Sequence, residues 1–332
     1  MAVTIEDIKK LRAMTGAGMK DCKKALAEAD GDIDKAVELV RERGLAIAAK
    51  RSDRETSNGC VLVKNDNGFA AMIALKCETD FVANGADYIA LTQEILDAAV
   101  AAKAQSLEEV LELTLADGTK VAEAVTRRSG VVGEKMELDG YNVLEGTHVY
   151  TYDHMGRHTL ATIVKLTEAN EDAGHKVAMQ VAAMKPVALD EASVPESIKE
   201  EEFKVAVSKT KEEQVERQVN VALKKAGINA NLVDSEDHIA SNVAKGWLSQ
   251  EDADKAQAIR AQVSAEAAAN VKEEMVMNIA KGRLAKFFKE NCLVDQEFQF
   301  GDGDKQSVAQ WLDQQSKGLK VVAYKRFSLS AD

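Results

Sequence analysis

Residues 59–84 leave the chain little conformational freedom. The runs Gly59-Cys60-Val61-Leu62-Val63-Lys64 and Phe69-Ala70-Ala71-Met72-Ile73-Ala74-Leu75-Lys76-Cys77 flank Asn65-Asp66-Asn67-Gly68. Asn, Asp and Gly tolerate the positive φ of a tight turn, so the segment predicts an antiparallel hairpin. The second arm ends at Cys77 and is followed by Glu78-Thr79-Asp80-Phe81-Val82. Three polar residues and then a large aromatic are an unusual exit from a strand. Thr79 or Asp80 is placed to cap a helix expected near Gly85. Phe81 sits at the junction, and two arrangements are open. It packs as a staple on the helix below it, or it is held out toward a partner.

The same layout recurs. Gly146 to Gly156, followed by Arg157 to Leu166, repeats the hairpin, and an alanine-rich helix follows at about Glu171 to Met184. Two hairpin-plus-helix units predict a duplicated α+β core with antiparallel sheets, because short turns exclude the crossovers of a parallel fold. Upstream, residues 4–44 read as three short helices. Thr4 with Asp7 gives a capping-box spacing, Gly16 to Gly18 breaks the first helix, Asp32 caps the third and Gly44 ends it. A bundle of this size resembles a ubiquitin-associated domain, a partner-binding module. Residues 46–58 read as a polar linker carrying Lys50, Arg51 and Arg54.

Further on, helices are expected at about Gly85 to Lys103 and within 107–128, broken at Asp117-Gly118, and a strand at Val131 to Leu138. Residues 187–275 are rich in Ala, Glu, Lys, Gln and Val. They predict a helical hairpin or coiled coil, Ile198 to Ala226 against Glu251 to Ala280, whose small alanines permit close approach. The chain then returns to the core through a strand at Cys292 to Phe300, a helix at Ser307 to Ser316 and a strand at Val321 to Leu329. The expected domains are 1–45, the linker 46–58, core subdomains 59–140 and 141–186 with 276–332, and the inserted arm 187–275.

Charge and composition narrow the function. The net charge is −12, which disfavours direct nucleic-acid binding. No apolar run approaches the ~20 residues that span a bilayer. The N-terminus has no secretory pattern, so the cytosol is the expected compartment. Cys22, Cys60, Cys77 and Cys292 are scattered without a C-x-x-C pair and read as buried thiols. His148, His154 and His158 raise a metal site, but no carboxylate or cysteine completes a ligand set at a recognisable spacing. The glycine-rich turn before Met19 lacks the preceding strand and Gly-Lys-Ser/Thr ending of a phosphate loop. No catalytic motif stands out, so an enzyme is not indicated, and no cofactor is implied.

Two motifs carry a resemblance. Thr79-Asp80-Phe81-Val82-Ala83 and Thr15-Gly-Ala-Gly-Met-Lys-Asp-Cys-Lys-Lys-Ala-Leu26 resemble the signatures of the elongation factor Ts family, and the order of modules agrees along nearly the whole chain. The resemblance implies a nucleotide exchange factor for the GTPase elongation factor Tu. In it, Phe81 acts as a wedge beside the partner's magnesium site and Asp80 bonds nearby, with Thr79 and Val82 in the same motif. Displaced magnesium leaves GDP weakly held. The resemblance also implies partner contacts at Met19, Lys23, Val132, Gly133 and His154, and self-association through residues 187–275. A basic pair usual in the family's Gly-Glu strand is replaced around Leu138-Asp139. Some members continue with a further helical module that grips the partner, and a chain stopping at Asp332 is expected to lack that contact. An adaptor that binds a helix or peptide through the N-terminal bundle is the alternative.

Overall fold

The computed structural model describes residues 3–301, 303 and 305–330. Met1, Ala2, Ala331 and Asp332, on which the reading of the two chain ends bears, lie outside the described residues. The N-terminal bundle comprises α1 (Ile5–Thr15), α2 (Met19–Glu28) and α3 (Ile33–Ala49). Thr4 and Asp7 form the expected capping box, and the Asp32 side chain accepts from the Asp34 and Lys35 N–H groups. Leu11, Cys22, Ala25, Leu26 and Ala36 are fully buried between the helices.

The predicted hairpin is β1 (Asn58–Asp66) and β2 (Phe69–Cys77). Asp66 pairs with Phe69, so Asn67 and Gly68, both at positive φ, make a two-residue turn. After β2 the chain forms a single turn, α4 (Asp80–Ala83), and then α5 (Ala86–Ala102), α6 (Leu107–Glu112) and α7 (Val121–Val132). It then returns as β3 (Met136–Glu145), which completes a sheet of order β1-β2-β3. Ala71, Ile73 and Leu75 of β2 pack on Tyr88, Ile95, Leu96 and Ala99 of α5. Tyr88 is fully buried, and its hydroxyl donates to the Leu75 carbonyl at 2.8 Å.

Two expectations are corrected here. The strand expected from Val131 starts only at Met136, because α7 runs through Val132 and Gly133 closes it in the left-handed region (φ 78°), its N–H donating to the Ser129 carbonyl. Likewise, Gly44 does not end α3, which continues to Ala49. Gly44 is the point where α3 meets α7: a Cβ on Gly130 would lie 2.2 Å from the Gly44 Cα. The missing side chains let the two backbones touch.

The second half of the core begins with β4 (Val149–Asp153), β5 (Leu160–Leu166) and α8 (Glu171–Met184). The second hairpin is not as tight as the repeat suggested. Residues 154–159 connect its strands, with a 3₁₀ turn at His154–Gly156 and Met155 at φ 57°.

Asp190–Asp295 forms a separate compact unit. It contains α9 (Glu196–Lys225), α10 (Glu236–Ala244), α11 (Gln250–Ala269) and α12 (Glu273–Asn291). The unit extends past residue 275 because α12 packs along α9, as α11 does. The single helix expected over Glu251 to Ala280 is therefore two. The Asn270 side chain donates to the Glu266 carbonyl at 2.8 Å, a local bond that competes with helix continuation. Val219, Leu223, Val233 and Ala256 are fully buried in this unit.

Back in the core come α13 (Val308–Gln315) and β6 (Val321–Ser328), which completes a sheet of order β4-β5-β6. The strand expected at Cys292 to Phe300 is reduced to one bridge, Glu297 to Ser307. A helix side chain takes the place of a neighbouring strand: Gln180 donates to the Glu297 carbonyl (3.1 Å) and accepts from the Gln299 N–H (3.0 Å). The two sheets face each other through Val61, Ala70, Met72, Ala74, Val149, Ala161 and Ile163, and α8 covers the far face of the second. The architecture is α+β, with two small antiparallel sheets between helical layers. All four cysteines are free and buried, and burial pushes the Cys60 thiol up to about 12 and the Cys292 thiol up to about 11.

The α3–α7 crossing separates conformational from packing roles of glycine. Alanine in a helix interior is normally favoured over glycine by about 1 kcal/mol. At the exposed Gly282 of α12 a Cβ meets nothing within 4 Å, so Gly282→Ala is expected to stabilise the protein by that order. Gly130→Ala is expected to destabilise it by roughly 1–3 kcal/mol, because backbone must move. Urea melts of the two variants check the opposite signs.

Candidate partner-binding site

The exit from β2 is anchored before it is exposed. The β2–β3 ladder ends at the pair Cys77–Met136. Beyond it, carboxylates replace carbonyls as acceptors. Glu78 accepts the Lys135 N–H at 2.6 Å, and Glu134 accepts the Thr79 N–H at 3.0 Å and the Thr79 hydroxyl at 2.7 Å. The two strand ends thus exchange acidic side chains across the gap. Arg51 and Arg54 add ion pairs to Glu78 at 3.2 and 3.0 Å. The linker's basic residues therefore neutralise a local acid, which gives them a structural role that the sequence pattern did not reveal. The Cys77 thiol, 3.2 Å from the Thr79 carbonyl, and the Asn58 amide, 2.9 Å from the Glu78 carbonyl, complete the anchor.

On this base stands α4. The Thr79 hydroxyl accepts the Val82 N–H at 3.4 Å, so Thr79 caps α4 and not the longer α5, whose N-cap is Gly85. At the other end the Asn84 side chain donates to the Asp80 carbonyl at 2.8 Å. Ala83 points down into the core and Val82 is half-buried. Phe81 is 87% exposed. The staple is not made, because the single turn of α4 aims Ala83 inward and Phe81 out. An aromatic of this size left in water on a short turn gains nothing for folding from its own burial.

The other candidate residues lie in different places. Met19 is 46% exposed and Lys23 exposed, both on α2. Val132 ends α7 and Gly133 caps it, and their effect is to bring Glu134 and Lys135 to the base of α4. His154 is half-buried in the second hairpin's connection, its Nδ1 3.1 Å from the Tyr152 hydroxyl. His158, four residues on, pairs through Nδ1 with Asp153 at 3.1 Å. A cavity of about 250 Å³ brings that connection to α4, with Asp80, Ala83 and Asn84 on one side and Arg157 and His158 on the other. Glu78 and Glu134 were not singled out as site residues by the sequence. The only signal for them is that each immediately neighbours a residue that was, Thr79 and Gly133.

Fold and site together define an α+β protein that presents an exposed phenylalanine on a braced turn. A family model described as elongation factor TS matches residues 78–331. A protein named elongation factor Ts from Phocaeicola vulgatus is 60% identical over 332 residues, covering all of both chains. One of the same name from Parabacteroides distasonis is 58% identical over the full length of both. A third, from Porphyromonas gingivalis, is 42% identical over 333 residues, again at full coverage. The chain belongs to the elongation factor Ts family.

The anchor has a pH signature. The Lys135 N–H, then Arg54 and Arg51, hold the Glu78 carboxyl below its ordinary value against the opposing effect of burial. A carboxyl depressed on folding contributes stability above its unfolded value, near 4.5, and loses it as pH falls through the folded value. The parent is therefore expected to melt above Glu78→Gln at pH 7, and the gap is expected to narrow from pH 5 to pH 3. Thermal melts of both proteins across that range check it.

Proposed function

We propose that the chain is a nucleotide exchange factor for elongation factor Tu, with Phe81 as its working side chain. The observation that carries this is the pairing of an 87% exposed phenylalanine with a base held by charged hydrogen bonds. Family membership supports the partner. The action is physical and forms no covalent bond. A factor that binds the nucleotide-free partner more tightly than its GDP complex must, by linkage, weaken GDP by the same ratio. Phe81 enters an apolar cleft beside the partner's magnesium site, and Asp80, exposed one residue earlier, bonds to the displaced elements. Without magnesium the phosphate charge of GDP is poorly neutralised and the nucleotide leaves.

Thr79 and Val82 complete the motif around the wedge. Met19 and Lys23 on α2 and His154 on the second hairpin provide further contacts that hold register, while Val132 and Gly133 contribute at the α7 end. The working division is a partner-binding bundle (α1–α3), the linker that follows it, a duplicated core (59–189 with 296–332) and an arm that offers a self-association surface (190–295). The place of action is the cytosol.

The test is release of a fluorescent GDP analogue from elongation factor Tu with substoichiometric amounts of this protein. The parent is expected to accelerate release catalytically. Phe81→Ala is expected to cut the acceleration at least about tenfold, the scale of a buried aromatic anchor. Its melt should shift little, since an exposed side chain contributes about 0.5 kcal/mol or less to folding. Loss of the cooperative melt in Phe81→Ala would instead make Phe81 a structural residue.

A further inference from the structure

We propose that Glu134 is a positioning residue for Phe81, acting through the Thr79 hydroxyl; this rests on the exchange reading of the site above. The size of α4 sets the constraint. A helix of four residues has no stability of its own, since nucleation costs more than one turn returns. Its orientation is set at its ends. The N-terminal end depends on the Thr79 oxygen, which accepts the Val82 N–H. A threonine hydroxyl is a free rotor that can aim its proton or its lone pairs at that N–H. Here the rotor is locked. Glu134 takes the hydroxyl proton at 2.7 Å, so the lone pairs remain for Val82. The same carboxylate takes the Thr79 N–H at 3.0 Å, which fixes the backbone from which α4 departs.

Glu134 itself is held from behind. Ser129 of α7, buried, donates its hydroxyl to the Glu134 carbonyl at 2.5 Å. Gly133, in the left-handed region, turns the chain so that Glu134 leaves the helix toward Thr79. No Cβ clash explains that glycine, for nothing lies within 4 Å of the position. Its requirement is conformational. The connected path runs from the α7 C-terminus through Glu134 and Thr79 to the turn that carries Phe81. An exposed wedge transmits force only if its base does not yield, and preorganisation of this kind raises activity without adding a contact to the partner.

The experiment is a double-mutant cycle on GDP release between Glu134→Ala and Phe81→Ala, with Glu134→Gln as the conservative variant. Glu134→Ala is expected to slow release from the saturated complex roughly tenfold, the scale of a charge-assisted bond pair. Glu134→Gln, which keeps one acceptor oxygen, is expected to fall between it and the parent. In a Phe81→Ala background Glu134→Ala should cost almost nothing further. Amide hydrogen exchange should quicken at Val82 and Thr79 in Glu134→Ala while core amides of β2 keep their protection. Full activity in Glu134→Ala, or losses that multiply independently of Phe81, would overturn the positioning role alone. A parent that releases no nucleotide would overturn the exchange reading, and the positioning role with it. If Glu134→Ala unfolds, the cycle is run with Glu134→Gln and Thr79→Val, and the same dependence on Phe81 decides.

Discussion

Burial of β2 on both faces governs the rest of the core. Ala71, Ile73 and Leu75 meet α5 on one side, while Ala70, Met72 and Ala74 meet the second sheet on the other. A strand covered on both faces cannot slip by one residue without exchanging these two sets. The sets differ in volume: the face toward the second sheet is mostly alanine and the helix face is larger. Register is thereby fixed through to Cys77, and so is the point at which Glu78 leaves the sheet. The location of Phe81 follows from core packing several residues earlier.

What stands at that exit is a contrast between anchored polar groups and one unsupported apolar group. Carboxylates are exchanged between residues 78–79 and 134–135, and arginines from the linker pair with one of them. Charge-assisted bonds of this type are about twice as strong as neutral ones, and Glu78 is mostly shielded from solvent. The chain is acidic overall, and Arg51 and Arg54 at the base of the turn are committed to Glu78. Arg128 pairs with Asp87 at the start of α5 and Arg41 with Glu123 on α7. These pairs tie bundle, helices and hairpin together, and Phe81 is the exposed apolar side chain of the turn.

The duplicated core shows how a repeat can diverge at the tips while its packing persists. Both halves place a hairpin against a helix, and the two sheets bury their remaining faces on each other. The first tip is a two-residue turn; the second is a longer connection with His154, exposed Met155 and the His158–Asp153 pair. Loop tips carry no core packing, so they are free to differ and to face a partner.

The hairpin turn, the capping box at Thr4, the Asp32 cap, the helix from Glu171 to Met184 and the duplicated α+β plan were legible in the sequence, because each depends on local φ preferences or on short-range periodicity. The Phe81 motif was legible as an anomaly, a large apolar residue after three polar ones. Whether Phe81 is buried was not legible, since that depends on which way one turn of helix rotates above a core built from distant residues. Gly44 and Gly130 lie 86 positions apart, and only their meeting shows that glycine there serves close approach and not termination. Glu134 reaches Thr79 across 55 residues. A single sequence records the carboxylate and the threonine, but tertiary structure decides that one holds the other, because hydrogen bonds act over a few ångströms of space and are indifferent to separation along the chain.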